Sequence, residues 1–279
     1  MRKHNGLNAL IWTVVTLGYA LLTNYCAAQS TSEAELKTEP AQDTQDSMYR
    51  VAFKAQDEFL ISALYYAAES EATRRTTSSA VLLLHDCSHA SEQYQPLMAL
   101  LAEKGIHALA MDLRGFGKSV SDQYSHQKVK LSAKDVVTYQ GEMAKLSVFW
   151  PADILAGFTY LRKKVGDKAK IGILTAGCTA RYGIELAESI RISGFVMVTP
   201  ELSYSDKERY KNLFDIPVYF ISSVHHANTH QTAKELYEWN GDKRSSMQLF
   251  KGDRFGFRLI AHQPFLNQNI AGWLSHALR

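Results

Sequence analysis

The sequence predicts an α/β domain built on a mostly parallel central sheet with helices on both faces. Three observations predict it. Short apolar runs of strand length recur along the chain, amphipathic segments lie between them, and the junctions carry glycine-containing turns. Continuous apolar strands need cover on both faces, and strands alternating with helices imply parallel pairing through crossovers. A chain of 279 residues, 46% hydrophobic and 21% charged, has enough apolar material for one sizeable core.

The elements follow in order. Tyr49–Lys54 and Phe59–Ala67 alternate around Gln56-Asp57-Glu58 and predict an antiparallel hairpin. Ala80–Leu84 is a short apolar run suited to a central strand. Ser91–Lys104 carries Leu97, Leu100 and Leu101 on one face and stops at Gly105, as a helix does. His107–Met111 is the next strand, closed by Asp112-Leu113-Arg114-Gly115-Phe116-Gly117. The polar stretch Lys118–Leu146 has no readable period. Ala152–Lys164 is amphipathic through Ile154, Leu155, Phe158 and Leu161. Strands at Ile171–Leu174, Gly194–Val198, Val218–Ile221 and Met247–Phe250 alternate with helices at Thr179–Ser189, Thr232–Trp239 and Phe265–Leu278. No internal repeat is visible.

Arg2 and Lys3 precede an apolar run from Ala9 to Leu22, followed by Cys26-Ala27-Ala28. That order of positive, apolar and small residues is a secretory signal peptide, expected over residues 1–28 with cleavage after Ala28. The run is short for a span of ~20 residues, so membrane attachment is expected only if the segment stays uncleaved. Bulky Tyr25 argues against a lipoprotein signal at Cys26. Residues 29–48, rich in Ser, Thr, Gln and Glu, read as a disordered tether, and residues 49–279 as the folded domain. The expected destination is the periplasm or the medium, where disulfides persist. The formal charge of +3 falls to 29 − 28 = +1 without Arg2 and Lys3, which gives no basic face for nucleic acid.

Motifs in order narrow the fold. Leu82-Leu83-Leu84-His85-Asp86-Cys87 is an apolar strand ending in a short polar loop. Met111-Asp112-Leu113-Arg114-Gly115-Phe116-Gly117-Lys118-Ser119 ends the next strand. Lys170–Arg181 turns a strand into a helix, Ile216–Ile221 is a later strand, and Lys251-Gly252-Asp253-Arg254-Phe255-Gly256-Phe257 is a loop before the last helices. Together these resemble the α/β-hydrolase fold family, over about Tyr49 to Arg279. The resemblance implies a strand that ends in Gly-x-Ser-x-Gly, an oxyanion loop, an acid after a later strand and a histidine loop. It also implies little or no cap domain, since only a short connection separates Glu201 from Pro217.

The side chains that such a site needs are missing. The nucleophile position holds Gly177, the acid position falls near His226, and the base position holds Phe255. A nucleophile, a base and an orienting acid are all required for acyl transfer. The resulting expectation is a catalytically inactive domain that binds a small molecule or a partner protein at the former active-site mouth, without cofactor or metal. The alternative register makes Cys178 the nucleophile of an ester, thioester or lactone hydrolase, with His226 and Glu201 in support. Helix phase opposes it: with Gly177 at the vertex, Arg181 and Glu185 point outward and Ile184 inward.

The resemblance also places Cys87 and Cys178 at the two facing oxyanion positions, which implies a disulfide between them. It brings His85, Asp86, His89, His225 and His230 to the carboxyl ends of the strands, where they are expected to line a pocket. His-His-x-x-x-His is not the spacing of a known helical metal site unless His226 and His230 share a helix turn, and a redox or metal role for Cys87, Cys178 and these histidines is the remaining reading. Asp112 and Arg114 are expected to be structural.

Overall fold

The computed structural model describes residues 48–69 and 79–279, so the predicted signal peptide and nearly all of the tether lie outside the described residues. Gln45–Arg279 groups as one compact unit. Among the described residues its sheet has eight strands: β1 (Met48–Lys54), β2 (Leu60–Tyr66), β3 (Ser79–Leu84), β4 (Ile106–Met111), β5 (Lys170–Ala176), β6 (Gly194–Val198), β7 (Val218–Ser223) and β8 (Ser246–Phe250). They stand in the order β1-β2-β4-β3-β5-β6-β7-β8. The first hairpin is antiparallel, as is the pairing of β2 with β4, and every later pairing is parallel. Leu82, in the middle, faces Leu109 on one side and Ile173 on the other.

Every residue of β3 and of β6 is buried, which explains why these strands read as unbroken apolar runs. Along β3, Leu82 and Leu84 enter one core and Val81 and Leu83 the other. The first core is closed by helices α4 (Trp150–Val165), α5 (Ala180–Ser189) and α7 (Ala227–Trp239), through residues such as Ile154, Ile184 and Leu236. The second is closed by α1 (Gln95–Glu103), α8 (Phe257–His262) and α9 (Leu266–Ala277), through Leu97, Ile260 and Ile270. Full burial of one such leucine contributes about 1.5–3 kcal/mol.

The structure adds what periodicity did not show. Residues 118–146 hold two helices, α2 (His126–Ser132) and α3 (Val136–Ser147). Each starts on a cap: the Ser125 hydroxyl accepts from the Lys128 amide, and the Asp135 carboxylate accepts from the Thr138 amide. Little of either helix is buried, so caps rather than an apolar stripe mark them. Helix α6 (Tyr204–Tyr210) occupies the short connection after Glu201, again on a serine cap, Ser203. Helix α7 begins directly after His226, earlier than its apolar period suggests. No helix among the described residues is long and apolar enough to cross a membrane.

Candidate functional site

The site forms where β3, β5, β6 and β7 end. Strand β5 runs into a single 3₁₀ turn, Gly177–Thr179, and then into α5. The Thr179 hydroxyl donates to the Ala176 carbonyl and accepts from its amide, which tightens the bend. At the vertex Gly177 takes φ +54°, a region that glycine enters freely and other residues enter only at a cost. Arg181 is exposed and Ile184 fully buried, the helix phase that places Gly177 at the vertex.

Opposite the vertex lies the loop that carries Phe255. Three side chains from three strand ends hold it. The Ser223 hydroxyl donates to the Arg254 carbonyl (2.6 Å), the Gly256 amide donates to the Thr199 hydroxyl (2.8 Å), and the Phe257 amide donates to the Asp86 carboxylate (2.8 Å). Thr199 is fully buried and left-handed at φ +45°, an unusual conformation for a β-branched residue. A β-carbon on Gly256 would lie 2.1 Å from the Asp86 carboxylate, so only glycine lets the loop approach it.

This loop aims the Phe255 ring at the vertex. A β-carbon on Gly177 would stand 2.5 Å from Phe255 Cζ and 2.8 Å from Cε1. The ring thus occupies the space next to the vertex that a nucleophilic side chain would enter. His226 packs on the same ring, with centroids 5.0 Å apart, and its Nδ1 lies 3.0 Å from the Thr229 hydroxyl. Gly177, Phe255 and His226 therefore converge as the sequence order implies, with a hydrocarbon ring at the centre. Such a ring can neither accept nor donate a proton.

The histidines and Asp86 do other work than lining the cleft described below. His85 is buried: its Nε2 accepts from the Leu113 amide (3.0 Å), so Nδ1 carries the proton and donates to the Asp86 carbonyl (2.7 Å). Burial pushes its pKa down, which favours this neutral form. Asp86, 2% exposed, accepts from the Ser88 amide, His89 Nδ1 and the Phe257 amide. Burial alone would raise its pKa, but these hydrogen bonds outweigh it and hold the carboxyl below its ordinary value. His225 is exposed, its amide bonded to the Gly252 carbonyl, and His230 lies half-buried inside α7. Of the five, Asp86 clamps the Phe255 loop, with His89 bonded to it, and none of them lines the cleft described below. Among the described residues, no group of His, Cys, Asp and Glu stands together as a metal-ligand cluster.

Cys87 and Cys178 stand at disulfide distance, with their sulfurs 2.01 Å and their Cα atoms 6.1 Å apart. Both are half-buried, and both line a cleft of about 400 Å³. Its other walls include Met143 of α3, Trp150 of α4, Arg181 and Tyr182 of α5, and Glu201. The Glu201 amide donates to the Gly177 carbonyl (3.2 Å), which sets this residue at the rim beside the vertex. Burial of its carboxyl by the walls pushes its pKa up; the charge of Asp86 adds to this and His226 offsets it. Sequence reasoning found Cys87, Cys178 and Glu201, but not Met143, Trp150 or Tyr182. Trp150 and Tyr182 lie on amphipathic helices, where an aromatic residue reads as core, and Trp150 does donate its indole N–H to the Arg114 carbonyl.

Comparison with known proteins agrees with this architecture. A family model described as serine aminopeptidase, S33, matches residues 75–149, a stretch that stops short of Gly177. No curated protein matches the chain. Among solved structures, an esterase from Pyrococcus furiosus is 17% identical, covers 85% of this chain and 93% of its own, and superposes with a TM-score of 0.55. A highly thermostable carboxyl esterase from Bacillus coagulans is 9% identical, covers 84% and 99%, and reaches 0.62. A dienelactone hydrolase from Anabaena variabilis is 12% identical, covers 83% and 98%, and reaches 0.58. Identities of this size speak for the shared fold alone.

Proposed function

The chain has the α/β-hydrolase fold, and from that premise we propose that it is a catalytically silent, exported binding or accessory protein. Its ligand sits in the cleft above Cys87 and Cys178. One observation carries this reading: the Phe255 ring fills the space beside Gly177 where a nucleophile and its base would meet. Acyl transfer by this fold needs a nucleophile within hydrogen-bond reach of a base, and the pair here is a bare α-carbon and a phenyl ring. The surrounding frame keeps its shape, because Asp86, Thr199 and Ser223 hold the loop by its backbone.

The cleft supports binding. A volume of about 400 Å³ lies within the usual range for small-molecule sites, roughly 300–1,000 Å³. Its walls offer the partly exposed Tyr139 and Met143, together with the cation Arg181 and the carboxyl Glu201. That set suits a small molecule, or a chain end of a partner protein, with an apolar body and a carboxylate. The sulfur pair on its floor suits an oxidising compartment, which supports export. No ester hydrolysis through Cys178, His226 and Glu201 is expected while Cys178 is tied to Cys87.

The test is titration of the oxidised protein with small aromatic carboxylates such as phenylacetate, read as a rise in Tm and by calorimetry. Saturable binding that weakens in Arg181→Ala is the expected result. No binding by any such probe, together with saturable turnover of an ester or thioester, would replace this reading with the hydrolase.

A further inference from the structure

The sulfur pair differs from a buried staple in three respects. It faces solvent through the cleft, since Cys87 and Cys178 are both half-buried and both line it. Its two ends are chemically unequal. Cys178 lies between the vertex and the first turn of α5, a ten-residue helix, whose amides and dipole favour a thiolate there. Arg181 follows three residues later and lines the same cleft. Cys87 instead follows Asp86, a buried carboxylate. The third respect is Glu201, a carboxyl that shares the cleft with both sulfurs and has its amide on the Gly177 carbonyl. Desolvation holds its carboxyl pKa above the ordinary glutamate value, and the residue stands exposed at the cleft.

We propose that Cys87–Cys178 is a thiol–disulfide exchange centre that oxidises cysteine pairs of polypeptide substrates, with Glu201 as its proton donor. A substrate thiolate attacks the Cys87 sulfur. The Cys87–Cys178 bond breaks, its electron pair leaves on the Cys178 sulfur, and Glu201 protonates that thiolate. The substrate is now joined to Cys87 by a mixed disulfide. Its second thiolate attacks the substrate sulfur of this bond and expels Cys87 as a thiolate, which takes a proton from water. In sum, two substrate thiols become one disulfide, and Cys87 and Cys178 become two thiols, with two electrons gained by the protein. The partly exposed Tyr139 and Met143, backed by the buried Trp150 and Tyr182, suit the apolar residues that flank cysteines in an unfolded chain. This activity goes beyond the binding reading and does not depend on it, because an inert disulfide and an occupied cleft are compatible.

The experiment mixes the oxidised full-length domain with a reduced peptide carrying two cysteines and apolar flanks. Peptide disulfide and protein thiols are quantified by mass, while circular dichroism reports the fold. The expected result is one peptide disulfide per protein pair with the fold unchanged. A peptide with one cysteine, which lacks the second thiolate, should stop at the mixed disulfide, mapped by mass to Cys87 and not to Cys178. Glu201→Gln should slow exchange about tenfold, more strongly at acid than at alkaline pH, without moving the equilibrium against glutathione, since a proton donor changes rate and not poise. A pair that resists both peptide and glutathione until urea unfolds the domain would overturn the proposal. An unchanged rate in Glu201→Gln would equally overturn the role given to that residue.

Discussion

Two neighbouring turns at the carboxyl edge of the sheet contrast sharply in polarity. After β4, Arg114 is buried with 1% of its side chain exposed, yet it is fully partnered. It bonds Asp153 through Nε and one terminal nitrogen, reaches Asp57 with both terminal nitrogens, and lies 4.3 Å from the Phe59 and Phe149 ring centres. Asp112 in the same turn accepts from the Ser91 and Lys118 amides and from Arg50. After β5, the equivalent turn carries Gly177 against Phe255, with no charge in the contact. Polar side chains stand where they satisfy backbone amides or counter-charges. At the vertex Thr179 and, across it, Asp86, Thr199 and Ser223 likewise serve backbone groups, while the space that a nucleophile would enter is filled by the Phe255 ring.

Breaking the polar turn should have the largest effect. Asp153→Ala leaves the Arg114 guanidinium buried beside a missing partner, and removing one member of a buried pair costs about 3–5 kcal/mol. Urea denaturation of the purified domain should show that loss or a failure to fold. A loss below about 1 kcal/mol would place this pair with surface ion pairs and erase the contrast.

A second effect concerns His126, whose amide donates to the Gly115 carbonyl of that turn. Its ring stacks on Phe116 at 4.3 Å, and its Nε2 meets the Tyr139 hydroxyl at 2.9 Å. Burial, with Lys130 and His85 adding, pulls its pKa down to about 4. The folded state therefore binds fewer protons than the unfolded chain between about pH 4 and 6.5, so this contribution is complete above 6.5 and is lost as pH falls. Relative to His126→Gln, the wild type should lose about 3 kcal/mol from pH 7 to pH 4. Parallel stability curves for the two proteins would show that His126 does not titrate in this way.

At the apolar turn the expected effect is smaller. Gly177→Ser combines a left-handed backbone with overpacking against Phe255, for about 2 kcal/mol. Phe255→Ala in the same chain should relieve part of it, giving a coupling of about 1 kcal/mol in a double-mutant cycle. Strict additivity would mean that the two residues do not meet.

The sequence carried the order of strands well, because β3, β5 and β6 are buried on both faces and cannot be written without continuous apolar residues. It carried the vertex as well, since Gly177, Cys178 and the Phe255 loop are read from local motifs. Helices α2 and α3 escaped because their start signals are single capping residues and their buried faces are narrow. The cleft walls escaped because an aromatic on an amphipathic helix has the same signature whether it meets core or ligand. His85 and Asp86 were placed at the right strand end, but their direction is set by the amides of Leu113 and Phe257, which come from distant parts of the chain.

The most direct test is hydrolysis of short-chain p-nitrophenyl esters and thioesters by the oxidised wild type, repeated after reduction and after alkylation. With Phe255 against Gly177, the rate in every state should equal that of buffer. Saturable turnover in the reduced protein, abolished by alkylation and absent from Cys178→Ser, would contradict a silent vertex and establish a cysteine hydrolase in its place.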